Sequence, residues 1–123
     1  MLRSTLVAVL VLLVAASIAH AQPFITPGLE PPNNGFLDCR VVNAGEKSID
    51  FVRQIYDFNG NIVVNPLGFE SNLGAHASSV SSSSDDDARY CLVQMRSAGR
   101  NGVRITLSVR DAVGTLLAAV EGR

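Results

Sequence analysis

The chain has 123 residues and a formal net charge of −1, from 10 lysines and arginines against 11 aspartates and glutamates. A chain of this length is expected to form one small domain around a single hydrophobic core. The nearly balanced charge gives no electrostatic basis for binding nucleic acid or an anionic membrane surface, so we expect neither as a partner.

Residues 1–21 have the pattern of a secretory signal peptide. Arg3 lies near the amino terminus, an apolar run extends from Leu6 to Ala16, and the small residues Ala19 and Ala21 follow it. Signal peptidase recognises this spacing of small residues, which predicts cleavage before Gln22. The apolar run is shorter than the roughly 20 residues that span a bilayer. We therefore predict a secreted or periplasmic protein with no membrane anchor after cleavage.

The next segment, residues 22–35 (QPFITPGLEPPNNG), contains four of the five prolines. Because proline fixes φ and donates no backbone hydrogen bond, this segment is predicted to be an extended arm that ends in an Asn-Gly turn. A short strand around Phe24 and Ile25, docked on the domain, is the alternative. Residues 36–123 are predicted to form the single folded domain.

From Phe36 onward, apolar and polar residues alternate. The apolar positions that share a face are Leu37, Cys39 and Val41; Ile49, Phe51 and Ile55; and Val103, Ile105, Leu107 and Val109. A period of two residues is typical of half-buried antiparallel strands. Since no window predicts a convincing amphipathic helix, the expected fold class is all-β.

Two turn sequences share the form Asp-x-x-Gly-x followed by three apolar residues, with Asp-x-x-Gly at 57–60 and 111–114. An aspartate side chain can cap the start of a turn, and a glycine three residues later can adopt a positive φ. Each sequence therefore predicts a β-hairpin.

The two halves of the chain place these hairpins in similar surroundings. A cysteine segment (CRV at 39–41, CLV at 91–93), an Ala-Gly pair and an alternating strand precede each hairpin in the same order. This parallel predicts two similar three-stranded units. Either a duplication or the limited set of sequence patterns that β-meanders use would explain it. The expected architecture is a small antiparallel β-sandwich, immunoglobulin-like, with about six to eight strands.

Cys39 and Cys91 are the two cysteines of the chain. In an exported protein they are expected to form one disulfide, which would stabilise the fold by roughly 4 kcal/mol on the chain-entropy model. A free reactive thiol and a metal pair are the alternatives, and the absence of CxxC spacing argues against both.

The segments CRVVNAG, DFNGNIV and YCLVQM, with a serine-rich strand before the last, resemble a group of small secreted bacterial proteins of unassigned activity. The resemblance implies an immunoglobulin-like or fibronectin-like β-sandwich. It carries over no catalytic residue, cofactor or ligand, and the chain lacks the buried tryptophan of true immunoglobulin domains.

Residues able to do chemistry are few. His76 is the one histidine after the leader, and no serine lies in a nucleophile elbow, so we predict no catalytic residues, no cofactor and no enzyme activity.

In SSSSDDDARYC, side chains on extended backbone alternate between faces, so Asp85 and Asp87 are the pair that could share a cation. Tyr56 and Phe58 are the candidate aromatic contacts for a glycan.

The serine-rich segment AHASSVSSS (75–83) is predicted to be a thin edge strand, with Val80 as its main apolar anchor. Edge strands can pair with a strand of another protein. The function expected from the sequence is thus a secreted, non-catalytic structural or protein-interaction module. The alternative is an extracytoplasmic cation- or glycan-binding domain.

Overall fold

Nine strands and no helix make up residues 23–97 and 101–123, which are the residues described by this computed structural model. The strands are β1 (Phe24–Ile25), β2 (Phe36–Asn43), β3 (Ile49–Asp57), β4 (Ile62–Val64), β5 (Glu70–Leu73), β6 (Ser78–Ser83), β7 (Ala88–Met95), β8 (Val103–Arg110) and β9 (Leu116–Glu121). The predicted all-β class is confirmed. The predicted signal peptide lies outside the described residues.

The strands form two antiparallel sheets. One has five strands in the order β1-β7-β3-β4, with β5 also paired to β3, and the other has four strands in the order β6-β2-β8-β9. β4 pairs with the end of β3 and β5 with its beginning, so the two short strands lie one after the other along the same edge. Because β4 and β5 are two separate strands along this edge, and because β1 is also a strand, the described residues form nine strands rather than the six to eight expected from the sequence.

The core lies between the sheets because each long strand turns alternate apolar side chains inward. Val52 is also buried, although it lies on the outer face of β3, because the loop at Gly68 passes over it. The inward-facing apolar core residues are Phe24, Leu37, Cys39, Val41, Ile49, Phe51, Ile55, Leu73, Ala88, Cys91, Val93, Met95, Val103, Ile105, Leu107 and Val109.

The two predicted hairpins form with the same hydrogen bonds. The carboxylate of Asp57 accepts from the backbone amides of Asn59 and Asn61, and that of Asp111 accepts from the amides of Val113 and Thr115. The glycines at 60 and 114 have φ of 84° and 90°, which an L-residue adopts only with strain. Turn chemistry in the sequence therefore predicted both strand reversals correctly.

The two units that the sequence parallel predicts interlock. The first strand of each unit pairs with the second strand of the other, β2 with β8 and β7 with β3. The β3–β4 hairpin therefore belongs to the five-stranded sheet, and the β8–β9 hairpin belongs to the four-stranded sheet. Ala98 and Gly99, the second Ala-Gly pair, lie outside the described residues.

The disulfide joins Cys39 on β2 to Cys91 on β7, with 6.1 Å between their Cα atoms. Since β2 and β7 belong to different sheets, the predicted bridge is confirmed as a link across the core.

The proline-rich arm packs against the sandwich. β1 pairs with β7, and Ile25 also exchanges two backbone hydrogen bonds with Arg123, so the arm connects the two sheets along one side. Phe24 and Thr26 are buried. Asn34 has a φ of 59°, and the amide of Gly35 donates to the carbonyl of Pro32, as expected for a turn at this point.

Candidate functional site

The strand predicted to lie at an edge, β6, is the first strand of the four-stranded sheet and, among the described residues, pairs with β2 alone. The amide of Asn43 donates to the carbonyl of Ala77, so these two residues form a hydrogen-bonded pair. Along an antiparallel pair of strands, residues that bond to the partner strand alternate with residues that do not. Ser79, Ser81 and Ser83 therefore exchange hydrogen bonds with β2. The backbone groups of Ser78, Val80 and Ser82 point away from the sheet, and we call these three residues the β6 edge.

The β6 edge has none of the devices that usually block an edge strand. Its sequence, SSVSSS, contains no charge and no proline, and its pairing with β2 runs from Ser78 to Ser83 without a bulge. The side chain of Val80 is 45% exposed on the outer face. The strand is thus regular from Ser78 to Ser83, and β2 is the strand that pairs with it among the described residues.

The opposite edge of the same sheet, β9, differs from the β6 edge. A bulge interrupts its pairing with β8 next to Leu116, and its end is occupied because Arg123 bonds to Ile25. By the same alternation, Ala119 and Glu121 are the β9 residues with outward-pointing backbone groups. Strand addition is therefore less restricted at β6 than at β9.

A buried arginine lies directly beneath the β6 edge. Arg53 faces inward from β3 and is 9% exposed, and its Nη1 donates to the carbonyl of Ser79 at 2.9 Å and to that of Cys39 at 3.3 Å. The guanidinium carbon also lies 5.6 Å from the ring centroid of Phe51. Burial lowers the pKa of Arg53, because the charged form loses hydration.

The outer face of the four-stranded sheet carries an ion pair. Arg110 donates from Nε and Nη2 to the two carboxylate oxygens of Asp38, and Ser82 donates to the same carboxylate. Burial acts to raise the pKa of Asp38, but the hydrogen bonds from Arg110 and Ser82 outweigh it and hold that pKa below its usual value. The charge of Arg110 is therefore already satisfied within the chain.

The cation candidates lie in the turn between β6 and β7. The carboxylate of Asp85 accepts from the backbone amide of Asp87 at 2.8 Å, so Asp85 caps the turn. Both residues are exposed. Among residues 23–97 and 101–123, no group of three or more histidines, cysteines, aspartates or glutamates is placed to hold a metal ion.

The two aromatic candidates have different ring partners. Tyr56 stacks on Tyr90, with ring centroids 5.0 Å apart and planes at 6°, on the outer face of the five-stranded sheet. Phe58 is 60% exposed and lies under the guanidinium of Arg89. The aromatic surface therefore includes Tyr90, which is not among the candidate contacts named from the sequence.

His76 lies in the exposed turn before β6, where its Nε2 is 3.2 Å from a carboxylate oxygen of Glu46. Among the described residues, no serine hydroxyl forms a hydrogen bond with His76.

The sequence interpretation did not identify Arg53 as a functional residue. A signal was present, because a charged side chain replaces the apolar residue expected between Phe51 and Ile55 on the inward face. Only the fold shows that this side chain ends beneath a free edge.

Comparisons with known proteins give information about the fold alone. No family model matches the chain, and no curated protein matches it. A solved structure described as "Crystal Structure of Thermotoga maritima 1070" is similar, with a TM-score of 0.59 and 13% sequence identity. The match covers 86% of this chain and 96% of that chain. Within the part of the chain that the structure describes, no helix has the length and apolarity to cross a membrane.

Proposed function

We propose that this protein is an exported, non-catalytic protein-interaction module that binds an extended segment of a partner at the β6 edge. The observation that carries the proposal is the row of outward-pointing backbone groups at Ser78, Val80 and Ser82, on a strand without bulge, proline or charge. An added strand would satisfy these groups and form a fifth strand of the sheet.

Two features support export and a stable scaffold for binding. The leader pattern of residues 1–21 predicts transport across a membrane, and disulfides such as Cys39–Cys91 persist in secreted and periplasmic proteins. The same features fit the small secreted β-sandwich proteins that the sequence resembles.

The test is selection of displayed random nine-residue peptides on the immobilised protein. We expect the selected peptides to lose at least about tenfold in affinity for Val80→Pro, because proline removes an outward amide that an added strand needs. Ala119→Pro is the matched control, since it makes the same change at the β9 edge. Failure to select any peptide, or equal binding to Val80→Pro, would refute the proposal.

A second candidate, a glycan-binding domain, is favoured by the stacked pair of Tyr56 and Tyr90. Glycan sites commonly use aromatic rings as flat platforms. Because the chain contains no tryptophan, tyrosine fluorescence reports directly on these rings. Titration with cellohexaose and maltohexaose should change that fluorescence if the candidate is right, and Tyr90→Ala should abolish the change. A flat titration with both sugars would eliminate this function for gluco-oligosaccharides.

A further inference from the structure

Half of the Arg53 guanidinium has no hydrogen-bond partner among the described residues. Nη1 makes the bonds to Cys39 and Ser79, whereas Nε and Nη2 donate no hydrogen bond within the described residues. No buried side-chain nitrogen or oxygen is left unpaired in this part of the chain, so these two nitrogens must keep contact with solvent. The unpaired half of a guanidinium that bonds to Ser79 of β6 therefore keeps some contact with solvent.

No residue in the described part of the chain supplies a counter-ion to Arg53. None of the ion pairs among the described residues includes it. Residues 1–22 and 98–100, outside the described part, contain no aspartate or glutamate. A carboxylate that neutralises this buried charge would therefore have to come from another molecule. Burial of a charge is costly unless a partner compensates it, so such a carboxylate would bind favourably.

Arg110 shows what this half of an arginine does when an acid is near. The Nε and Nη2 atoms of Arg110 donate to the two carboxylate oxygens of Asp38 in a bidentate pair, with 3.0 Å between Nη2 and Oδ1. These are the same two nitrogens that Arg53 leaves unpaired. This paired geometry suits carboxylates in particular.

The fold itself does not require an arginine at this position. Arg53 and Leu107 are equivalent in the two units, since each lies four residues before the aspartate that caps its hairpin. Leu107 is fully buried and apolar. The carbonyls of Ser79 and Cys39 already accept hydrogen bonds in the β2–β6 ladder, so they do not depend on Arg53.

We propose that Arg53 binds an acidic side chain of the partner strand that pairs with the β6 edge. A residue of the added strand placed opposite Ser79 has its side chain on the inward face, as Ser79 does, and so lies on the same side as the guanidinium that bonds to Ser79. The inference rests on the proposed function and specifies its ligand: an extended segment with aspartate or glutamate at one inward position.

The same peptide selection tests this inference separately. We expect the selected peptides to share an acidic residue at one position, and replacement of that residue by its amide to weaken binding at least about tenfold. Arg53→Leu, which copies the residue of the second unit, should remain folded and bind the acidic and amide peptides equally. Arg104→Leu, which removes an exposed arginine from the outer face of β8, should keep the preference for acid.

The outcomes separate the two claims. One outcome is that the selected peptides bind Val80→Pro at least about tenfold more weakly and yet have no acidic residue in common. That result would overturn the role of Arg53 and leave the proposed function intact. Failure of Arg53→Leu to fold would assign the arginine to structure and would equally contradict the inference. In the wild-type protein, the Nε–H resonance of Arg53 should shift on binding of the acidic peptide, and an unchanged resonance would count against a direct contact.

Discussion

At the scale of single residues, the stability of the sandwich depends on polar groups that the alternation pattern places on the outer face. Asp38 is buried beside Arg110, and the two hold each other by paired hydrogen bonds. The glycine at 60 lies in the hairpin after β3, where its φ is positive. The ion pair and the glycine at 60 each lead to a prediction about the free energy of unfolding.

Asp38→Asn should lower the free energy of unfolding at neutral pH by about 1 kcal/mol, a modest value because Arg110 is partly exposed and water screens the pair. The pKa of Asp38 is depressed in the folded state, so its contribution is present above the usual 3.8 and is lost as pH falls through the lower folded value. Denaturant unfolding of both proteins from pH 7 to pH 2 measures this.

The difference between wild type and Asp38→Asn should shrink below pH 4. Asp86→Asn, at an exposed position in the turn before β7, is the control and should match wild type at neutral pH. A difference that stays constant across the whole pH range would show that the carboxylate charge is not involved.

Gly60→Ala should destabilise the protein by about 1 kcal/mol, the cost of holding an L-residue at positive φ. No atom outside its neighbours lies within 4 Å of a Cβ built there, so the cost is conformational rather than steric. Gly74→Ala is the matched control, because that position is equally open and has no positive φ. Thermal unfolding that ranks the two variants in the opposite order would contradict the hairpin assignment.

At the scale of elements, the alternation of apolar residues predicted the long strands because burial of one face is a local property of the sequence. The strand at β1 is expected from the sequence only as an alternative to an undocked arm, since Phe24 gains its buried position from pairing with β7, far along the chain. The division of β4 and β5 along one edge of β3 has a similar cause. Loop residues 65–69 interrupt that edge, and Asn65 stabilises the loop by bonding to Phe69.

The candidate site could be predicted only in part for the same reason. Low apolarity indicated an edge strand within residues 75–83, and the structure places β6 at an edge. The inward direction of Arg53 follows from its position in β3, but the residue that its guanidinium reaches depends on how the two sheets face each other. The stacking of Tyr56 on Tyr90 likewise depends on the register of β3 and β7.

At the scale of the whole molecule, the two sheets are held by the shared core, by the arm and by one covalent bond. The disulfide connects cysteines that are 52 residues apart and fully buried. Removing a bridge of this span should cost about 4 kcal/mol on the chain-entropy model.

Urea unfolding of wild type, with and without a reductant, and of the double variant Cys39→Ala/Cys91→Ala measures this contribution. We expect the oxidised protein to be the most stable and the reduced protein to resemble the double variant. Equal midpoints for the oxidised and reduced forms would show that the bridge adds little to the packing of the core.

The central claim is that β6 offers a free edge to an extended partner, and residue-resolved hydrogen exchange tests it most directly. In the isolated protein the amides of Ser79, Ser81 and Ser83 should exchange slowly, and those of the β6 edge should exchange fast. A selected peptide should then slow exchange at Val80 and Ser82. Strong protection of Val80 in the isolated protein, or no added protection with the peptide, would contradict the account.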